Sequence, residues 1–440
     1  MQNLKRWAKN LSLTKKIICI LITLVIVKIG MIIPIPFVDK TYLQDTLSKM
    51  DIGAFSMLTG NAFSQMSFLT LGISPYISSS IIVQLLAVVF PSLEEMMKDG
   101  ETGKQKYKRI IITLSIALAV LQATAMAIGF GRSGLLSPFS AKTVACTALL
   151  WSLGAIILVL ISLYLDLFDL GSGVSMLLFL NIVSSVPQDI ISAYEMFIKG
   201  KVIAKQVVSG MLIIAFITAI FYACVMMLNT EKRIPISTSR KMSLYGLSQK
   251  SVFPIPFLTC SVMPVIFTSS LMSIPVVIGS FVPKLQSGIA GKIIMCFNQS
   301  NWFKLSMLPY SVGALLYILF SCFFTFFYLE IGFNPHEIAD NLKKSGTNIT
   351  GVRPGKPTEE YIRKASRKTA FIGNTCLTAL ILATALILNN VGISHIAMSG
   401  TSAIIAVSVI KEVGGKIETT ILSQKASARI KADTSSIFAI

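Results

Sequence analysis

The chain has 440 residues, 53% hydrophobic and only 13% charged, with a net charge of +19 and a mean hydropathy of +0.73. A soluble domain carries about 25% charged residues, so this composition excludes a water-soluble globule and indicates an integral membrane protein. Its positive excess must sit in loops, where it can meet anionic lipids, nucleic acid or acidic proteins. Seven scattered cysteines without a CxxC pair, and two distant histidines (His336 and His395), exclude a disulfide framework and a metal site, and no cofactor is expected.

A membrane-crossing helix needs roughly 20 apolar residues, and ten windows are candidates: about 17–36, 74–91, 109–131, 144–165, 174–190, 206–228, 258–283, 305–330, 369–390 and 396–412. The fifth and tenth are the weakest, being short or rich in Ser and Thr. No cleavable leader is expected, because the first apolar run is long and continues into a multi-spanning pattern. That first run carries Lys28. A charge inside an apolar helix is a functional candidate. The alternative, snorkelling to the outer interface, is favoured by its distance of about two turns from Pro34.

The next stretch, Asp51 to Leu86, fits neither lipid nor water. Its first half is too short and too rich in Gly, Ser, Asn and Gln to span. Its second half carries Pro75, Tyr76, Ser78, Ser79, Ser80 and Gln84 in an apolar background. Non-helical backbone at membrane depth is tolerated only where protein or a water-filled cavity surrounds it. The stretch therefore reads as a pore lining with its own stopper.

Three polar segments separate later spans: 92–108, 229–252 and 334–368. Lys and Arg set orientation, and 28 of the 39 lie in the terminal segments and in the loops on the same side. Both termini are thus expected in the cytoplasm. The region 191–205, with Lys199, Lys201 and Lys205, runs against the trend as an external loop.

Several motifs now resemble one family. IGMIIPIPF (29–37), LGISPYISSSIIVQLL (71–86), GETGKQKYKR (100–109), MPVIFTSSL (263–271), FNPHEIADNLKKSG (333–346), GVRPGKPTEEYI (351–362) and SGTSAIIAVSVI (399–410) are similar to SecY, the central subunit of the protein-conducting channel, and occur in family order. The resemblance implies an all-α bundle of ten transmembrane helices. Two pseudo-symmetric five-helix halves would surround a central pore: residues 1–190 and 206–412, hinged at 191–205, with a cytoplasmic tail at 413–440. A lateral gate between spans 2/3 and 7/8 would release apolar segments into lipid.

Carried over position by position, the resemblance implies a pore ring of Ile73, Ile77, Leu178, Ile266, Leu271 and Ile405. Such a ring dewets, which blocks ions, and closes softly around a passing chain. Ile73 and Ile77, four apart, share a helical face. Ile266 and Leu271, five apart, are separated by roughly 140° on a regular helix, so their joint membership needs an irregularity or rests on the resemblance alone. The plug maps to about 51–66, including Gly53, Phe55, Gly60, Asn61, Phe63 and Ser64. The gate would be lined by Ser78, Ser79, Gln84, Gln122, Leu258, Thr268, Ser269 and Ser270. The plain alternatives are an external loop for the plug and hydroxyls bonded to their own helix for the gate.

Arg240, Lys241 and Arg353 match basic positions through which the family docks ribosomes, by way of ribosomal RNA, or the SecA motor. Implied partners are SecE- and SecG-type subunits, SecA, ribosomes, signal sequences with nascent chains, and anionic lipids. The implied location is the bacterial inner membrane. The chain departs from the family pattern at Phe37, at Asp169-Leu170-Gly171-Ser172-Gly173, at Leu258 where a gate asparagine is usual, and at Met398-Ser399-Gly400-Thr401-Ser402. These changes raise the alternative of an accessory SecY with restricted substrates. An ATP-driven pump lacks a P-loop: Gly355-Lys356-Pro357-Thr358 has the wrong spacing. An enzyme is not expected, because no His/Asp/Glu cluster lies within the membrane. A small-molecule secondary transporter would place ionisable groups near the midplane, where only Lys28 comes close.

Overall fold

The computed structural model describes residues 11–36, 38, 62–63, 65–132, 139–197, 203–238, 251–258, 263–281, 288–304, 308–391 and 400–437. Its helices are α1 (Leu13–Ile32), α2 (Ser74–Val89), α3 (Pro91–Lys98), α4 (Gly100–Arg132), α5 (Ala141–Asp166), α6 (Gly173–Phe197) and α7 (Ile203–Asn229). They continue with α8 (Met263–Phe281), α9 (Gly288–Phe297), α10 (Val312–Gly332), α11 (Pro335–Lys344), α12 (Lys356–Val391) and α13 (Gly400–Ile437). Each of the ten apolar windows overlaps one of these helices. Six described helices are long and apolar enough to cross a bilayer unaided, or seven if the bent pair α2–α3 is one span.

Apolar side chains face outward as well as inward, as a lipid solvent requires. On α1, Ile18, Leu21, Ile22, Val25, Ile26 and Ile29 are exposed, while Ile20, Val27 and Met31 face the core along one stripe. The weak tenth window behaves in the opposite way. Thr401 through Val409 are all buried, so this segment faces protein on all sides and its hydroxyls need not be excluded from lipid. Gly400 lets α13 approach α12 closely, since a Cβ there would lie 2.4 Å from Thr384 Oγ1. α2 ends at Pro91, where the chain turns by 113° into α3. Leu93 and Met97 then fold back onto Val83, Ala87, Tyr107 and Ile111.

Several helices outrun their apolar windows. α6 passes Pro187 and continues to Phe197, and α7 starts at Ile203, so the expected external loop 191–205 is mostly helical. Hydropathy marks where lipid ends; a helix stops only where a breaker or cap stops it. By the same logic α13 runs on to Ile437 through most of the expected tail, and α4 starts at Gly100 within the polar segment 92–108.

The architecture is also not purely helical. Strands β1 (Glu231–Thr238), β2 (Ser251–Pro256) and β3 (Thr347–Ile349) form an antiparallel sheet of order β2-β1-β3, with Ile234 opposite Phe253 and Ile236 opposite Ile349. It joins the polar segments 229–252 and 334–368. Ile234, Ile255, Ile349, Ile362 and Ala365 close a small core beneath it. These strands are too short for a search based on spanning windows, although Ile234 and Ile236 alternate as strand residues do.

Candidate functional site

Before α2 the described chain at 66–73 is not helical, yet most of it is buried: Ser67 and Thr70, like Ala62, show 0% exposure and Leu71 and Ile73 show 1%. Buried backbone must find partners, and here it does. Ile35 N donates to Met66 O (3.3 Å), Phe68 N to Ile33 O (3.1 Å) and Ser67 N to Ala62 O (3.0 Å). The Thr70 hydroxyl donates to Ala62 O at 3.3 Å. On the other side, Gly154 of α5 faces the turn, and a Cβ there would fall 2.0 Å from Phe68 O. Only a glycine admits this contact.

This turn delivers Ile73 to the start of α2. Ile73, Ile77, Leu178 (α6), Ile266 (α8) and Ile405 (α13) are buried members of one apolar cluster, and Leu271 (α8) packs against it. Pairwise packing of α8 with α2 and α13, and of α13 with α6, brings these segments together. Pro275 lies within α8, and its missing N–H releases the carbonyl of residue i−4, Leu271. Ile266 and Leu271 themselves stand five apart on the continuous helix Met263–Phe281.

Of the plug positions, Gly53, Phe55, Gly60, Asn61 and Ser64 lie outside the described residues. Phe63 is 2% exposed and packs at 5.7 Å from Phe130, in a cluster with Met66, Leu71 and Trp151. Phe63 and Met66 thus belong to the packed wall formed with α4 and α5.

At the seam between α2, α4, α8 and α10, α8 packs on α2, α4 and α10. Ser79 and Thr268 are fully buried, and each donates to its own helix, to Tyr76 O (2.8 Å) and Pro264 O (2.7 Å). Ser270 Oγ is buried without a hydrogen-bond partner among the described residues. Ser78, Gln122 and Ser269 are half-buried, and Leu258 is half-buried against the main cluster. Gln84 behaves differently. Its Nε2 donates to Ser80 Oγ (2.9 Å) on α2, while its Oε1 accepts from the Tyr328 hydroxyl of α10. Sequence reasoning missed Tyr328. The available signal was the aromatic run FFTFFY at 323–328 in the eighth span.

Basic loops complete the site. Arg240 and Lys241 lie outside the described residues. Arg353 is exposed between β3 and α12, its carbonyl accepting from Thr358 Oγ1 at 2.8 Å. The flanking Gly351 and Gly355 have φ of +83° and +100°, a conformation open to glycine at no steric cost. Lys28 is half-buried on α1. No group of three or more metal-ligating side chains occurs among the described residues.

The SecY family model matches residues 67–413. The chain is similar to protein translocase subunit SecY of Rickettsia typhi, 30% identical over 98% of each chain. Among solved structures it resembles a protein-conducting channel, with a TM-score of 0.70 at 16% identity over 92% of this chain and 91% of that one. It also resembles Sec61 in the canine ribosome–channel complex from the endoplasmic reticulum, with a TM-score of 0.65 at 16% identity over 92% and 91%.

Proposed function

This chain belongs to the SecY family, and from that premise we propose how its own residues conduct polypeptides. It is a multi-pass membrane subunit of a protein translocase, and we read it as a channel for unfolded secretory chains and for the lateral insertion of membrane proteins. It acts as a conduit and not as a catalyst.

The observation that carries the mechanism is the convergence of Ile73, Ile77, Leu178, Ile266, Leu271 and Ile405, from four helices, on one apolar cluster. Five of them are 1–7% exposed, as a closed constriction requires. Aliphatic side chains hold no water file, so ions meet a dewetted barrier. A translocating chain displaces them sideways without breaking hydrogen bonds. The plug would occupy residues 51–66 on the outer side. The two halves, 1–190 and 206–412, would part along α2/α4 and α8/α10 to admit a signal sequence.

Arg353, Arg240 and Lys241 are the contacts assigned to a ribosome or a SecA-type motor. The rigid setting of Arg353 suits one specific anionic partner. SecE- and SecG-type subunits would complete the complex in a bacterial inner membrane, with both termini cytoplasmic. That orientation rests on the 28 Lys and Arg of one side.

The test is reconstitution. Vesicles carrying this chain, its small subunits and SecA should protect an added preprotein from protease only when ATP is supplied. Complete digestion under those conditions would sink the channel reading. Accumulation of a small solute by the chain alone would favour a transporter.

A further inference from the structure

We propose that Tyr328 is a specificity-determining residue of the lateral gate: its hydroxyl, bonded to Gln84, sets how apolar a signal sequence must be to open the channel. The proposal rests on the channel reading above and deepens it. The Tyr328 hydroxyl donates to Gln84 Oε1 across 244 residues of sequence, joining α10 to α2. These helices lie in the two halves that must separate. Ser79 and Thr268 instead donate their hydroxyl protons to their own helices.

Both partners are held in place. The Tyr328 ring packs on Phe267 of α8 at 5.2 Å, and Phe267 packs edge-on against Phe324 at 6.1 Å. Phe327 meets Tyr328 nearly perpendicularly at 5.6 Å. This aromatic block fixes where the phenol oxygen points. The Gln84 amide is aimed by its bond to Ser80 Oγ, four residues back on the same helix face. When α2 and α10 part, Gln84 Nε2 keeps Ser80. Opening therefore breaks the bond between the amide oxygen and the phenol hydroxyl, a cost that the incoming segment must offset with its own apolar contacts.

Interhelical hydrogen bonds of this kind in membranes correspond to about a three- to twenty-fold change in an equilibrium. Losing the bond should shift the closed–open balance by that factor without touching the pore ring. Apolar side chains also line the seam, Phe267, Phe324 and Tyr328 carbon on one side and Ile77 and Ile81 on the other, beside the hydroxyls of Ser269 and Ser270. A segment of marginal hydrophobicity would then open it.

The experiment uses the full chain in its complex in vesicles, with two preproteins that differ only in the apolarity of the signal core. The reading is the ratio of weak-signal to strong-signal translocation. Tyr328→Phe, which keeps the ring and deletes the hydroxyl, should raise that ratio about three- to twenty-fold over wild type. Gln84→Leu should do the same, and the double variant should do no more than either single one, because all three lack the same bond. An unchanged ratio in Tyr328→Phe, or a double variant equal to the product of the singles, would overturn the assignment. Wild-type vesicles that translocate neither preprotein would overturn the channel reading itself.

Discussion

Gly154 is the sharpest test of the packed turn that positions the pore ring. Replacing it with alanine adds one methyl group, whose carbon would sit 2.0 Å from Phe68 O. An ordinary carbon–oxygen contact begins near ~3.4 Å, so roughly 1.4 Å of displacement is forced on a close-packed interior. The obstacle is backbone and cannot rotate away. Phe68 is pinned by the bond from its N–H to Ile33 O at 3.1 Å, and Ser67 is bridged to Pro34. Overpacking of this kind costs about 1–3 kcal/mol. Alanine recovers about 0.5–1 kcal/mol of helix propensity, leaving a net loss of up to about 2.5 kcal/mol. The matched control is Gly414→Ala on α13, where a Cβ meets nothing within 4 Å, and where the same propensity term should leave the protein equal or slightly more stable. Denaturant-induced unfolding of the purified protein in detergent measures both. The displaced turn should also shift Ile73, raising ion leakage in the same preparation. If Gly154→Ala is as stable as Gly414→Ala, the close approach of α5 to Phe68 is not a feature of the folded protein and the account of the turn fails.

Two further predictions concern the ring and the loops. Ile77→Ser or Ile405→Ser places a hydroxyl in the buried cluster and removes the dewetting surface. Planar-bilayer recordings should show added ion conductance in the resting state, and unchanged conductance would remove those positions from the constriction. Arg353→Glu should weaken binding of ribosomes or SecA and reduce the slope of log affinity against log salt by about one. Co-sedimentation across a salt series reads this, and parallel lines for wild type and variant would exclude Arg353 from the contact.

The sequence by itself determined the membrane class, the approximate place of the long apolar helices and the family; the short apolar helix α9, Gly288–Phe297, fell between its windows. Each follows from local chemistry: a run of about twenty apolar residues has no stable state in water, and the motifs are contiguous strings. It also marked which stretch could not face lipid, because Ser78, Ser79, Ser80, Gln84 and the 51–66 polarity are visible in one dimension. What it could not fix is everything that depends on two distant segments meeting. The β2-β1-β3 sheet joins residues more than a hundred positions apart. Gly154 is an ordinary helical glycine until Phe68 O is placed against it. Ile266 and Leu271 stand five apart on one helix, and only the fold puts both against the same apolar cluster. Tyr328 is one aromatic among five in FFTFFY until the fold sets its hydroxyl on Gln84. Hydropathy is a property of a segment and is readable along the chain; contact geometry is a property of pairs, and only the tertiary structure decides which pairs exist.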